Sequence, residues 1–184
     1  MKNYVLTPGP VPVPEFVMLE MAKPIIHHRT EEFEEIFYKA TQGLKKVFMT
    51  EEEVLILASS GTGAMDAAIC NTLSKGDTAL VVNGGKFGER WLKICKAYGV
   101  NTIEIKVEWG KAVSPKVIED ALKENKSIKA ILIQASETST GVEHPIEDIA
   151  KLTKSRDDII LIVDGITAVG AFPVEFDKWG IDIL

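Results

Sequence analysis

Sulfur, histidine and long apolar runs are scarce in this 184-residue chain, and each scarcity excludes something. Two cysteines, Cys70 and Cys95, both in helix-like stretches, are too few for a disulfide framework. They read as small buried hydrophobes in a reducing, cytoplasmic setting. Three histidines without ligand spacing give no metal site. No stretch approaches the roughly 20 apolar residues that span a bilayer. The opening MKNYVLTPGPVPVPEF has no apolar signal region and is broken by proline. Excess positive charge is missing too: the net charge of -6 argues against nucleic acid or an anionic membrane as the main partner. Internal repeats, low-complexity tracts and interdomain linkers are absent from the sequence.

What is present has an ordinary globular balance, 46% hydrophobic and 26% charged. Residues 1–29 read as an extended arm, because prolines at 8, 10, 12 and 14 lock φ and withhold backbone donors. From Thr30, a plausible N-cap, Phe33, Ile36, Phe37, Leu44, Val47 and Phe48 recur at helical spacing behind an acidic first turn. Strand-type runs follow at 54–58, 78–82, 101–107, 128–134 and 158–164. Helical stretches lie between them at about 64–74, 87–98, 115–124 and 146–155. Pro115 and Pro145 are expected in the first turns of the last two helices, where a missing N–H is harmless. This alternation predicts βαβ units and a mostly parallel sheet with helices on both faces, an α/β fold over residues 30–184. Ligands of such sheets bind at the carboxyl ends of the strands.

Three strand ends carry a signal. In ASSGTGAMDAA, Ser60, Gly61 and Thr62 lead straight into a helix, so backbone N–H groups and the helix dipole can cradle a phosphate. A capped Gly-rich turn explains the same residues. No Gly-Lys-Ser/Thr follows, and Asp66 occupies the third glycine position of a dinucleotide fingerprint. In SETSTG, hydroxyl and carboxyl groups beside a strand end can direct hydrogen bonds to a ligand, or simply form a polar turn. In LIVDGITAVG, Asp164 ends an apolar strand, where a carboxylate needs a partner. That partner could be a metal, a ribose or a protonated ring nitrogen.

In order along the chain, LTPGPVPVP, HHRTEEF, SGTGAMDAA, NGGKFGER, ETSTGVEHP and VDGITAVGAFPVEFDKWGIDIL resemble the class V aminotransferases. These are pyridoxal-phosphate enzymes of fold type I, and the nearest likeness is to the alanine–glyoxylate and serine–pyruvate group. The resemblance implies that Ser60, Gly61 and Thr62 hold the phosphate and that Phe87 stacks on the pyridine ring. It further implies that Thr138 bonds the phenolic oxygen, Asp164 pairs with the ring nitrogen and Ile166 lies on the opposite ring face. Gly9 falls near the substrate carboxylate. His27, His28 and Arg29 match the family but receive a structural or interface role. Small amino acids and 2-oxo acids would be the substrates, and the site would lie across a homodimer interface.

Cysteine desulfurases share the aspartate, but their Asn-Glu-x-Gly and Ala-Gln patterns are replaced here by Thr138-Ser139-Thr140-Gly141 and Gly165-Ile166-Thr167. A 2-aminoethylphosphonate–pyruvate aminotransferase has a similar arm. From other classes, a non-catalytic subunit or a phosphometabolite-binding domain using SSGTG are the alternatives. The resemblance places the Schiff-base lysine in a turn beyond Leu184, with Lys178 ahead of the last strand. The chain therefore reads as an N-terminal part with no catalytic residue of its own, expected to be inactive alone.

Overall fold

The computed structural model describes residues 5–7 and 9–184. Pro8 and residues 1–4 of the expected arm lie outside the described residues. By contacts the chain divides into two compact units, Met1–Leu44 and Lys45–Leu184.

In the first unit the arm is not extended throughout. Helix α1 spans Glu15–Met21, started by Pro14 at its N-cap with φ −56° and ψ 141° and by Glu15 in the first turn. Proline thus ends the extended segment and sets the entry angle of a helix. Helix α2, Glu31–Phe48, follows the predicted periodicity. Thr30 caps it, its Oγ1 accepting from Phe33 N–H at 3.4 Å. The division between the units falls within α2.

The second unit contains α3 (Gly61–Thr72), β1 (Thr78–Asn83), α4 (Lys86–Tyr98), β2 (Asn101–Lys106), α5 (Pro115–Glu124) and β3 (Ile128–Gln134). It continues with β4 (Ser136–Glu137), β5 (Val142–Glu143), α6 (Ile146–Ala150), β6 (Ile160–Asp164) and α7 (Phe176–Trp179). Strands β2-β1-β3-β6 form a sheet in that order, every pair parallel. Alternation along each strand supplies two cores. Leu80, Val82, Ile131, Ile133 and Leu161 face α5 and α6 through Ile118, Leu122 and Ile149. Ala79, Val81, Ala130, Leu132 and Ile162 face α3 and α4 through Met65, Ile69, Trp91 and Cys95.

Four expectations change. The run 54–58 forms no strand: Leu55 is 80% exposed and no described strand pairs with it. A β-prone sequence without a neighbouring edge has nothing to satisfy its ladder. The fourth predicted helix stops at Ala150, after which Thr153 turns its hydroxyl onto the Ala150 carbonyl at 3.1 Å and the chain breaks into turns. Pro145 stands at the N-cap of that helix, outside its first turn. Cys95 is buried, and desolvation pushes its thiol up to about 11, but Cys70 is exposed on the outer side of α3. Among the described residues no helix is long and apolar enough to cross a membrane.

Ile131 sits on the central strand, fully buried between two neighbours. Ile131→Ala should destabilise the fold by about 2–5 kcal/mol. Urea unfolding monitored by circular dichroism measures this, and an unchanged midpoint would contradict the core assignment.

Candidate cofactor site

Because the strands run parallel, β1, β3 and β6 deliver their carboxyl ends to one edge. Register makes this tight: Gln134 pairs with Asp164, and Ala135 N–H donates to the Asp164 carbonyl at 2.9 Å. The predicted residues of the second unit converge there through a chain of contacts. Gly61 opens α3 so close to Ile166 that an added Cβ would stand 2.5 Å from Ile166 Cδ1. Thr62 Oγ1 accepts from the Arg90 guanidinium at 3.0 Å. That guanidinium lies 4.9 Å from the centre of the Phe87 ring. Phe87 N–H in turn donates to Glu137 Oε2 at 3.1 Å, next in sequence to Thr138.

The start of α3 is suited to an anion. Ser60 is its N-cap but makes no side-chain capping bond. The N–H groups of Gly61 and Thr62 donate to no described residue, whereas Gly63 N–H turns back to the Ser60 carbonyl at 2.8 Å. Two free donors, the helix dipole and the nearby Arg90 make the start of α3 locally positive.

Asp164 lies half-buried at the end of β6. Its Oδ1 accepts from Ile166 N–H at 3.1 Å. No described residue donates to Oδ2, and no described lysine or arginine forms an ion pair with it. Burial raises its carboxyl above the usual range; the Ile166 N–H pulls down, the Glu137 charge pushes up and Arg90 opposes it. The carboxylate thus has one oxygen in want of a donor, the condition a protonated ring nitrogen would meet. The metal alternative finds no support, since no group of three or more His, Cys, Asp or Glu capable of holding an ion occurs among the described residues.

A cavity of about 360 Å³ opens beside this edge, lined by Gly61, Met65, Trp91, Asp164, Ile166 and Leu184 among others. It brings together Gly61, Asp164 and Ile166 but is not lined by Ser60, Thr62, Phe87 or Thr138. Thr138 is half-buried in the turn between β4 and β5, and its hydroxyl makes no hydrogen bond among the described residues. Gly9 belongs to the first unit and is exposed. The sequence reading missed two participants. Arg90 was legible only as a helix residue in NGGKFGER. Glu137, fully buried, was read with its neighbours as part of a polar turn.

The aminotransferase class-V family profile matches residues 15–184. The chain is 44% identical to a protein of a Synechococcus species named soluble hydrogenase, small subunit, over 100% of this chain and 48% of that protein. It is 33% identical to an L-aspartate–glyoxylate aminotransferase of Paracoccus denitrificans, over 99% of this chain and 47% of the relative. Among solved structures, alanine–glyoxylate aminotransferase from Nostoc sp. superposes with a TM-score of 0.91 at 29% identity, covering 96% of this chain and 47% of that one. The chain spans about half the length of these curated relatives.

The Asp164 carboxyl holds its proton more tightly folded than unfolded, because burial raises its pKa. Ionisation therefore costs folding stability above the unfolded pKa, and that cost is absent below about pH 4. Asp164→Asn should make the ligand-free chain more stable at neutral pH, with the gain vanishing in acid. Urea unfolding at both pH values tests this; equal stability at neutral pH would refute it.

Proposed function

Because the chain belongs to the class-V aminotransferases, we propose that the protein of which it forms part is a pyridoxal-phosphate-dependent transferase. It would move an amino group from a small amino acid, alanine or serine, to glyoxylate or pyruvate. The observation that carries this reading is the convergence at one sheet edge of an open helix N-terminus with a half-buried carboxylate lacking a donor on one oxygen. When bound, pyridoxal phosphate supplies an electron sink for a substrate carbon that has lost its proton.

The chain's residues would divide the work as follows. The N–H groups of Gly61 and Thr62, with Ser60, hold the phosphate. Phe87 and Ile166 confine the ring from its two faces, and Thr138 donates to its phenolic oxygen. Asp164 keeps a proton on the ring nitrogen; a carboxylate left without a cation at a buried strand end is suited to that role. Gly9 would lie near the substrate carboxylate. Residues 1–29 serve as an arm, and 30–184 as part of the large cofactor-binding domain.

Lys86 pairs with Glu89 at 3.1 Å and Lys178 with Glu175 at 2.6 Å. The lysine that bonds the cofactor is assigned outside the 184 residues. A homodimer is the proposed assembly. Helices α1 and α2 bury no residue within this chain and leave Phe16, Met21 and Tyr38 70%, 79% and 64% exposed. Such apolar surface is what a partner subunit covers. His27, His28 and Arg29, all exposed, fit that interface role. The absence of a membrane-length helix among the described residues is compatible with a cytoplasmic location.

Two outcomes are expected. The 184-residue chain alone should bind pyridoxal phosphate weakly and turn over neither L-alanine nor L-serine with glyoxylate or pyruvate; measurable turnover would overturn the assignment of the lysine. In the complete gene product, Asp164→Ala should lower transamination by roughly a hundredfold or more while the fold survives. Wild-type rates in that variant would remove Asp164 from the ring nitrogen.

A further inference from the structure

Glu137 is a fully buried carboxylate with no cation in ion-pair range among the described residues. Such a charge is costly unless directed donors replace its water. Phe87 N–H and Gly88 N–H both reach Oε2 at 3.1 Å. On Oε1 it accepts from Ser139 N–H at 3.3 Å and from the Ser139 hydroxyl. Ser139 Oγ also accepts from Lys86 N–H at 2.9 Å.

These bonds are an N-cap delivered from another element. The N-cap position of α4 is Gly85, which has no side chain to do the work. A Cβ there would stand 2.6 Å from Glu137 Cδ, so the glycine makes room for the carboxylate. The cap comes from the segment that also carries Thr138, and the turn it fixes carries Phe87 and, one turn on, Arg90. The charge on Glu137 is also felt by Asp164 and by the buried His144, which accepts from Val113 N–H through Nδ1 at 3.1 Å.

We propose that Glu137 is a positioning residue of the cofactor site: its carboxylate locks the first turn of α4 to the β4–β5 turn, so that Phe87, Arg90 and Thr138 are held in one fixed arrangement. This rests on the pyridoxal-phosphate reading given above. A capping bond alone would need only a local serine or aspartate at position 85. The arrangement found instead couples the segment that would stack on the ring to the one that would bond its phenolic oxygen.

The test is a titration of the complete gene product with pyridoxal phosphate, followed by absorbance and by quenching of intrinsic fluorescence, for wild type, Glu137→Gln and Ser139→Ala. Glu137→Gln keeps the shape but removes the charge and presents an amide to the Ser139 N–H. It should remain folded by circular dichroism and bind the cofactor roughly tenfold more weakly. The pH midpoint of the bound-cofactor absorbance should also fall, because a negative charge facing Asp164 and His144 has gone while Arg90 remains. Ser139→Ala removes the hydroxyl that donates to Glu137 and accepts from Lys86 N–H but keeps the charge, so it should weaken binding without moving the midpoint. Wild-type affinity and midpoint in Glu137→Gln would overturn the positioning role, as would wild-type affinity in Ser139→Ala if the glutamine variant fails to fold. A wild-type protein that binds no pyridoxal phosphate would instead overturn the cofactor assignment, and this inference with it.

Discussion

Everything at the site depends on the parallel pairing of β3 with β6, which sets Gln134 level with Asp164. A sheet buried on both faces leaves polar side chains nowhere to go but its ends. Parallel strands send all their carboxyl ends the same way, so loops distant in sequence meet there. Asp164 stands there because it is the last residue of an otherwise apolar strand. Glu137 is there because the chain, leaving β3, folds back across the start of α4. One register thus fixes the spacing between the two carboxylates.

Those two groups meet burial in opposite ways. Glu137 is saturated with backbone and hydroxyl donors and serves as a structural element. Asp164 has one oxygen served by the Ile166 N–H and one without a donor, and desolvation raises its carboxyl. A satisfied carboxylate organises a site, whereas an unsatisfied one is available to a ligand. The nearby Arg90 divides its interaction between the Phe87 ring and Thr62, tying the starts of α3 and α4 together.

Much of this was legible in the sequence. Strand β3 and helix α5 fall within their predicted bounds because a continuous apolar run and a Ser-Pro start leave little ambiguity. Two of the segments that meet at the sheet edge were singled out by small residues leading into a helix and by a lone acid closing an apolar strand. What failed had a common cause, dependence on partners distant in sequence. The run 54–58 has strand composition, but only a neighbouring edge makes a strand. The helix in the arm follows Pro14, a residue read as a breaker that instead starts a helix. Glu137 was invisible as a cap because its helix lies about fifty residues upstream, and local capping patterns look only three residues ahead.

The unequal burial of the two thiols gives the protein a built-in reporter. Cys95 is sealed in the core with its thiol driven up to about 11, so neutral alkylating reagents will leave it alone. Cys70 is open to solvent near the far end of α3, nine residues and roughly 13 Å along the axis from Gly61. A fluorophore or spin label placed there would ride on the same rigid rod that presents its free N–H groups to an anion. Movement of that helix end could therefore be followed by spectroscopy without altering any residue of the site.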